Sequence, residues 1–304
     1  MDYRRILNEI VEELKPFQKE GSVADYIPEL GNVDADKFAI TLNPLDGDIY
    51  SAGDKDLKFS IQSVSKVFSL TMAHSLVGES IWKRVKVEPS GTPFNSLVQL
   101  EHENGIPRNP FINAGAIVVA DILLSELPNS KSDFVEFVEQ ISGCSGFSYN
   151  EKIAQSEFET GNRNKALAYF LKSYGNLHND VDEVLDLYFH MCALELSCEE
   201  LAKAFLFYAR HGISTKFDTV TITPSQIKRT NALMQTCGFY DESGEFSFTV
   251  GLPGKSGVGG AVAAVYPQNY SVAIYSPRLN KKGNPVLGMR ALELLTSKSG
   301  MSIF

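Results

Sequence analysis

The sequence predicts an α+β fold, in which an antiparallel sheet is assembled from both ends of the chain and helices are inserted between them. Strand patterns joined by short turns occur near both ends of the 304-residue chain. Such tight connections favour antiparallel pairing. Between residues 63 and 237 the apolar residues instead recur at helical spacing. A sheet built from both termini around a helical insertion is an α+β architecture.

The first sixty residues predict one helix followed by a β-hairpin. Residues 3–18 carry their apolar side chains on one side of a helix. Residues 38–42 and 49–52 read as two strands, and the turn between them contains Asp46-Gly47, a strong hairpin signal. This hairpin supplies the N-terminal part of the expected sheet.

The middle of the chain predicts a series of helices. A loop rich in Gly, Pro and Asn, at about residues 88–113, interrupts the series. The segments with helical apolar spacing are residues 64–77, 115–126, 131–142, 164–173, 180–195, 198–211 and 224–237.

Beyond residue 240 the pattern predicts the rest of the sheet. Residues 246–250, 260–266 and 270–275 read as strands, and residues 284–298 as a closing helix. We therefore expect one catalytic domain over residues 1–304. Its sheet subdomain comprises approximately residues 1–60 plus 223–304, and its inserted helical subdomain approximately residues 61–222. A cleft between the two layers would then lie beside Ser63.

The composition excludes several classes of protein. The chain is 43% hydrophobic and 21% charged, which is ordinary for a globular protein. A net charge of −9, without a basic stretch, argues against nucleic-acid and anionic-membrane partners. The four cysteines and five histidines show no zinc spacing. The N-terminus lacks a signal-peptide core and no apolar run approaches membrane-spanning length, so we expect a cytoplasmic protein.

The first chemical motif is Ser63-x-x-Lys66, at the start of an apolar helical pattern. If Ser63 opens the helix, Lys66 lies one turn later on nearly the same face. A desolvated lysine can take the proton of a serine hydroxyl and make it a nucleophile, and the helix N-terminus favours negative charge. The pattern is short, and a helix cap followed by a solvated lysine is the alternative.

The second motif is Lys255-Ser256-Gly257, which leads into a predicted strand. Ser-x-x-Lys followed by Lys-Ser-Gly on an α+β pattern resembles the order of motifs in penicillin-recognising serine enzymes. That class also carries a middle Tyr-x-Asn, which Tyr174-Gly175-Asn176 matches in letters. Gly175 and Asn176 also suit a helix end, and Lys255-Ser256-Gly257 also suits a glycine-rich turn.

Further motifs recur in the order found in one family. Residues 26–30 read Tyr-Ile-Pro-Glu-Leu, and residues 110–117 read Pro-Phe-Ile-Asn-Ala-Gly-Ala-Ile. Ser156-Glu157-x-x-Thr160-Gly161-Asn162-Arg163-Asn164, Asp186-Leu187-Tyr188-Phe189 and Gly238-Phe239-Tyr240-Asp241-x-x-Gly244 follow. With the Ser63 stretch, this series closely resembles the serine-dependent glutaminases, from Tyr26 to Val258.

The resemblance implies a fold similar to serine β-lactamases and the hydrolysis of L-glutamine to L-glutamate and ammonia. It makes Ser63 the nucleophile, with Lys66 as its base, and it assigns the tyrosine role to Tyr188 rather than Tyr174. The substrate site would be lined by Tyr26, Ser63, Asn113, Glu157, Asn164, Tyr188, Tyr240 and the backbone of Val258. We expect no metal or organic cofactor, and a homo-oligomer, either a homotetramer or a homodimer.

Each implied role has a chemical reason. Glu157 can accept hydrogen bonds from the substrate ammonium, while Asn113 and Asn164 can donate to its carboxylate without a buried charge. The backbone N–H groups of Ser63 and Val258 can form an oxyanion hole. Tyr188 or Tyr240 can relay a proton to the departing ammonia.

Two rival functions remain open on the sequence. An enzyme of the same architecture would act on β-lactams, peptides or esters, but an acylated peptide has no free ammonium for Glu157 to recognise. A ligand-binding sensor would keep the pocket but lack a base able to deprotonate Ser63. Taken singly, Glu157 also suits a solvated helix residue, Asn113 a helix cap, and the tyrosines half-buried packing.

Overall fold

Strands from both ends of the chain share one sheet. The computed structural model describes residues 1–91, 97–212 and 222–304. Within these ranges the strands are β1 Ala39–Pro44, β2 Tyr50–Gly53, β3 Phe59–Ser60, β4 Ser148–Tyr149, β5 Leu194–Leu196, β6 Gly254–Ser256, β7 Ala261–Tyr266 and β8 Tyr270–Tyr275. The larger sheet has the order β2-β1-β8-β7-β6, and every neighbouring pair in it is antiparallel.

The helices of the described ranges cover both faces of this sheet. They are α1 Tyr3–Leu14, α2 Ser65–Val77, α3 Leu97–His102, α4 Asn113–Glu126, α5 Ser130–Ser142, α6 Glu151–Thr160, α7 Asn162–Ser173, α8 Val181–Cys192, α9 Cys198–Ala209, α10 Pro224–Cys237, α11 Ser243–Thr249 and α12 Val286–Ser299. None of these helices is long and apolar enough to cross a lipid bilayer.

The central strands are buried because both of their faces are covered. Along β8, Val272 and Ile274 join the apolar cluster formed with α1 and α12. Ala273 and Tyr275 point to the opposite face and join the cluster of the middle helices. This alternation follows the two-residue period of a strand. The fold class predicted from the sequence, an antiparallel sheet flanked by helices, is confirmed.

Helix α9 lies directly against the sheet. Its first turn is closed by a capping box between Ser197 and Glu200, and the helix packs on β1, β7 and β8. Buried Cys198 donates its thiol hydrogen to the carbonyl of Ala273 on β8. The other middle helices pack around α9, so the sheet and the helical layer share one apolar core.

The strand predicted at residues 246–250 is wrong, because these residues belong to helix α11. Phe246 is fully buried and stacks on Phe239 with ring centroids 3.5 Å apart, whereas Phe248 is 91% exposed. Because Phe246 is buried and Phe248 is exposed, the segment has the alternating burial that is typical of a strand. Ser243 and Phe246, one helical turn apart, are both buried, and this spacing fits the single buried face of a short helix.

The structure also adds elements that the sequence pattern did not predict. A small antiparallel sheet has the order β3-β5-β4. Helix α6 precedes the helix predicted at residues 164–173, and its N-cap Asn150 accepts a hydrogen bond from the N–H of Ile153. Helix α3 lies inside the loop predicted at residues 88–113, of which residues 92–96 fall outside the described ranges.

Candidate active site

Ser63 lies in a short 3₁₀ turn, Gln62–Val64, that leads directly into helix α2. The end of strand β6 approaches the backbone of this turn. A Cβ atom on Gly257 would lie 2.7 Å from the carbonyl oxygen of Ile61 and 3.3 Å from the N atom of Ser63. Only glycine permits so close an approach. The sheet edge and the Ser63 turn therefore form the two sides of one site.

Lys66 is buried behind this turn, in the first residues of α2. Its Nζ atom donates hydrogen bonds to Asn113 Oδ1 at 2.8 Å and to the carbonyl of Phe111 at 3.2 Å. Desolvation lowers the pKa of Lys66 to about 8. Both acceptors are uncharged, so a large fraction of this lysine is neutral near pH 8.

A second buried lysine lies on the sheet side. Lys255 on β6 donates to the carbonyls of Gly238 and Ser256, and its Nζ lies 4.5 Å from the ring centroid of Tyr240. Desolvation, reinforced by the charge of Lys66, lowers the pKa of Lys255 well below its usual value. The sequence drew attention to Lys255-Ser256-Gly257, but Lys255 was not predicted as a site residue. Its place in a motif that leads into a predicted strand was the available signal.

A cavity of about 240 Å³ opens in front of Ser63. It brings together seven of the predicted site residues, which are Tyr26, Ser63, Asn113, Glu157, Asn164, Tyr188 and Val258. Its remaining lining residues were not predicted and are Ile27, Gln62, Thr160, Gly161, Arg163, Phe189 and Cys192.

Glu157 on α6 is the acidic group of this cavity and is only 8% exposed. Burial raises its pKa to about 8, against the opposing effects of the Lys66 charge and the nearby Gln62 side chain. Its Oε2 atom is buried and has no hydrogen-bond partner among the described residues. A buried, unpaired carboxylate oxygen is costly, and in a cavity it is suited to accept hydrogen bonds from a cationic ligand.

Asn113 connects Lys66 to Asn164. Asn113 accepts a hydrogen bond from Lys66 and donates through Nδ2 to Asn164 Oδ1 at 2.9 Å. The chain of bonds uses both polar atoms of Asn113 and the oxygen of Asn164, which leaves the Asn164 amide N–H groups as donors. Asn113 does not cap α4, because the N-cap position is Ile112.

The three predicted tyrosines occupy different depths. The hydroxyl of Tyr240 is buried near the side chains of Ser63 and Ser256, and burial raises its pKa to about 12. Burial raises the pKa of Tyr188 on α8 well above its usual value, and the nearby Cys192 and Glu157 add to this rise. Tyr26 is 56% exposed at the cavity mouth, but desolvation of its hydroxyl and the nearby Tyr240 and Glu157 raise its pKa.

Tyr174 and Asn176 have structural surroundings instead. The side chain of Asn176 donates to the carbonyls of Arg84 and Gly105, while Tyr174 is 44% exposed. Neither residue lines the cavity. The interpretation of Tyr174-Gly175-Asn176 as a helix end therefore agrees with the contacts of these residues.

An α+β fold that holds a buried serine, two buried lysines and a polar cavity between its sheet edge and its helices defines an enzyme of serine β-lactamase-like architecture. The family model described as Glutaminase matches residues 21–304. The chain belongs to the glutaminase family, and the resemblance and the enzyme class predicted from the sequence are confirmed.

Individual relatives cover the whole chain. A glutaminase of Saccharophagus degradans is 55% identical over 304 residues, which cover 100% of this chain and 99% of the relative. A glutaminase of Vibrio cholerae is 52% identical over 300 residues, covering 98% of each chain. A solved structure of a Bacillus subtilis glutaminase, in covalent complex with 5-oxo-L-norleucine after reaction with 6-diazo-5-oxo-L-norleucine, has a TM-score of 0.89 at 33% identity and covers 100% of both chains.

Proposed function

We propose that the chain hydrolyses L-glutamine to L-glutamate and ammonia through an acyl-serine intermediate on Ser63, with Lys66 as the general base. The observation that carries this proposal is the unpaired, buried Glu157 carboxylate oxygen in the same cavity as Ser63. The Bacillus subtilis relative supports it, because its covalent ligand is an amino acid with a carbonyl at C5, the position of the side-chain amide carbon of glutamine.

Recognition of free glutamine requires partners for an ammonium and a carboxylate. Glu157 binds the ammonium through its unpaired oxygen, and the amide N–H groups of Asn164 donate to the carboxylate, with Asn113 holding Asn164 in place. Tyr26 closes over the mouth of the cavity. An amino acid bound through its α-ammonium and α-carboxylate groups presents its side-chain amide to Ser63. The entropy of orienting the substrate is then lost at binding rather than in the chemical step.

Acylation begins when neutral Lys66 takes the proton of Ser63 and Oγ forms a bond to the amide carbon of glutamine. The resulting oxyanion accepts hydrogen bonds from the backbone N–H groups of Ser63 and Val258. Tyr240, whose hydroxyl lies near Ser63, passes the proton from Lys66 to the amide nitrogen, the C–N bond breaks and ammonia leaves. Tyr188 lies in the same cavity and is the alternative relay.

Deacylation reverses the proton path. Water attacks the glutamyl ester, Lys66 accepts a proton from that water, and the ester C–O bond breaks as Ser63 regains its hydrogen. Glutamate is then released and the resting protonation states are restored. Every proton taken from a nucleophile is returned to a leaving group, so the cycle consumes only glutamine and water.

Substitution of the nucleophile tests this function. We expect Ser63→Ala to lower ammonia release from glutamine by roughly 10⁴-fold or more, as for loss of a nucleophile that acts with its base. Ser75→Ala is the matched control, since Ser75 lies on α2, the helix that follows Ser63, and donates to the carbonyl of Met72, and it should keep wild-type turnover. Wild-type turnover by Ser63→Ala would exclude Ser63 as the nucleophile.

The same assay separates the rival functions. The purified protein is supplied in turn with glutamine, asparagine and a chromogenic β-lactam. Colour without ammonia would favour an enzyme that acts on β-lactams, and glutamine binding without turnover would favour a sensor. Sedimentation of the same sample tests the proposed homo-oligomer, and fractionation of cells tests the proposed cytoplasmic location. The four cysteines are free thiols, which suits a reducing compartment.

Substitution of the base makes a separate prediction. Lys66→Ala should lower kcat by roughly 10² to 10⁴-fold while changing the affinity for glutamine much less, because a base acts in the chemical step. The kcat of the wild type should rise with pH through about 8, where Lys66 loses its proton. An intact rate with weakened glutamine binding would remove Lys66 from this role.

A further inference from the structure

Tyr240 has an unusual backbone conformation. It opens the 3₁₀ turn Tyr240–Glu242 with a φ of +55°, in the left-handed region that residues other than glycine rarely adopt. Such a conformation costs a residue with a large side chain about 1 to 3 kcal/mol, and it persists only where neighbouring contacts hold it. The contacts that hold this turn therefore decide how Tyr240 is presented to the reaction.

The side chain of Tyr240 lies at the edge of the substrate cavity. It packs against the small apolar cluster that contains Ile27 and Val258, and both of these residues line the cavity. A Cβ atom on Gly283 would lie 3.7 Å from Tyr240 Cε2 and from Val258 Cγ1, so the turn that contains Gly283 packs against the ring. The direction of the ring sets where the Tyr240 hydroxyl lies relative to the substrate.

Asn284, in that same turn, bonds the chain on both sides of Tyr240. Its Nδ2 atom donates to the carbonyl of Phe239, the preceding residue, at 3.2 Å, and to Oε2 of Glu242, two residues further on. These two bonds use both N–H groups of the amide. The Phe239 carbonyl belongs to the peptide group whose rotation about the N–Cα bond of Tyr240 is φ, so Asn284 restrains the strained dihedral directly.

Asn284 is itself held in place. Ser256 on β6 donates its hydroxyl hydrogen to Asn284 Oδ1 at 2.5 Å, and both residues are fully buried. The backbone N–H of Asn284 donates to Asn280 Oδ1 at 3.0 Å. Asn280 in turn donates through Nδ2 to the Glu242 carboxylate, at 2.9 and 3.1 Å. The turn at residues 280–284 and strand β6 thus form one rigid support.

We propose that Asn284 is a positioning residue, which fixes the left-handed turn at Tyr240 and thereby sets the direction of the tyrosine side chain. The inference rests on the proposed function, in which Tyr240 passes the proton to the departing ammonia. Hydrogen bonds are directional, so an amide fixed between two points of the chain holds a strained dihedral that apolar packing would let relax. Ser256 of the second sequence motif acts through Asn284.

The test replaces Asn284 with leucine, which has a similar size but no hydrogen-bonding groups. We expect Asn284→Leu to lower the kcat for glutamine by about 10 to 100-fold, as for a small misplacement of a reacting group. The KM should change by less than about threefold, since the residues proposed to bind the substrate, Glu157 and Asn164, lie on α6 and α7. A wild-type kcat in the folded variant overturns the proposal.

A matched control is Asn176, which is also buried and also donates its amide N–H groups to two acceptors, the carbonyls of Arg84 and Gly105. Asn176→Leu should lower the midpoint of denaturant unfolding about as much as Asn284→Leu does, but it should keep the wild-type kcat. If Asn176→Leu lowers the kcat equally, the effect is one of stability and the proposal fails.

A double substitution tests whether Asn284 acts through Tyr240. Tyr240→Phe removes the hydroxyl and should lower the kcat by roughly 10²-fold. Adding Asn284→Leu to Tyr240→Phe should then lower the kcat no further, because no hydroxyl is left to position. Losses that multiply overturn the proposal. A wild-type kcat in Tyr240→Phe also overturns it, because Tyr188 would then be the relay, although hydrolysis at Ser63 would stand.

If Asn284→Leu does not fold, Asn284→Ser replaces it, because a small polar residue leaves room for a water molecule between the buried polar groups. The serine hydroxyl ends one bond short of the amide nitrogen, so the kcat should still fall. A wild-type kcat in this folded variant overturns the proposal. Retained turnover in Ser63→Ala would instead defeat the proposed function, while the difference between the Asn284 and Asn176 variants would still decide the role of Asn284.

Discussion

Two buried carboxylates of the helical layer, Asp121 and Glu157, differ in how many hydrogen bonds they receive. Asp121 on α4 is fully buried and accepts from Arg84 Nη2 at 2.6 Å and from two N–H groups of Asn179. Burial raises its pKa, but the bonds from Asn179 and Arg84 outweigh burial and hold the pKa below its usual value. Glu157 is almost as buried, has an unpaired oxygen, and its pKa is raised to about 8.

This difference indicates that Asp121 stabilises the fold, whereas Glu157 is suited to bind a ligand. Asp121 ties α4 to the segment at residues 178–179, and its bonds are complete without any bound molecule. Glu157 lies in the cavity with a bonding position left open. A buried charge without enough partners destabilises a fold, so such a group is retained where its partner arrives with a ligand.

The largest expected effect is on stability, at Asp121. In Asp121→Asn an amide N–H group faces the donors of Arg84 and Asn179, and the guanidinium loses its buried counter-charge. We expect the free energy of unfolding to fall by about 3 kcal/mol, measured by denaturant titration. The folded fraction should keep its kcat/KM for glutamine. A loss of activity at unchanged stability would contradict the structural role of Asp121.

The matched substitution at Glu157 should instead affect glutamine binding more than stability. Glu157→Gln removes the charge that we propose binds the ammonium, so we expect the KM for glutamine to rise about 100-fold, equivalent to about 2.7 kcal/mol, with kcat changed much less. Calorimetric titration of glutamate measures the same loss as weaker binding. Unchanged affinity in both experiments would remove Glu157 from the ammonium role.

A further prediction concerns the pH dependence of stability, which should differ between Glu157 and Asp121. Glu157 has a pKa of about 8 in the fold against an ordinary 4.5. The folded state therefore binds more protons than the unfolded state between these values, and stability falls as pH rises. For Asp121 the folded pKa lies below its usual value. Its contribution is complete above that usual value and is lost only as pH falls below it.

Melting temperatures at pH 5 and pH 8 test this contrast. The Tm of Glu157→Gln relative to the wild type should be higher at pH 8 than at pH 5, by several degrees. The relative Tm of Asp121→Asn should be the same at both values, because its ionisation is complete there in both states. The reverse pattern would mean that the two carboxylates have been assigned the wrong roles.

The sequence predicted much of the site because the chemistry lies in short motifs. Ser63 and Lys66 are three residues apart on one helical turn, and local geometry is enough to bring them near each other. The remaining cavity residues were named through the family resemblance, not through spacing. Gln62, Cys192 and Lys255 were missed as site residues, because their importance comes from burial and from contacts with distant segments.

The errors in secondary structure have a similar cause. Residues 246–250 alternate like a strand, but the stacking of Phe246 on Phe239 decides for a helix with one buried face. The small sheet β3-β5-β4 joins three segments that are far apart in sequence, so no local sequence pattern predicts it. Local propensity is a weak guide where a short segment is held by tertiary contacts.

By itself, the sequence determined the α+β class and the positions of most helices and central strands, and it led to the proposal of Ser63 and Lys66 as nucleophile and base. These features depend on residue periodicity and on neighbours along the chain. Only the tertiary structure decided that Lys66 is desolvated and bonded to Asn113, and that Glu157 is left with an unpaired oxygen. Desolvation and hydrogen-bond completeness depend on which distant segments surround a group, and only the packing of helices against the sheet sets them.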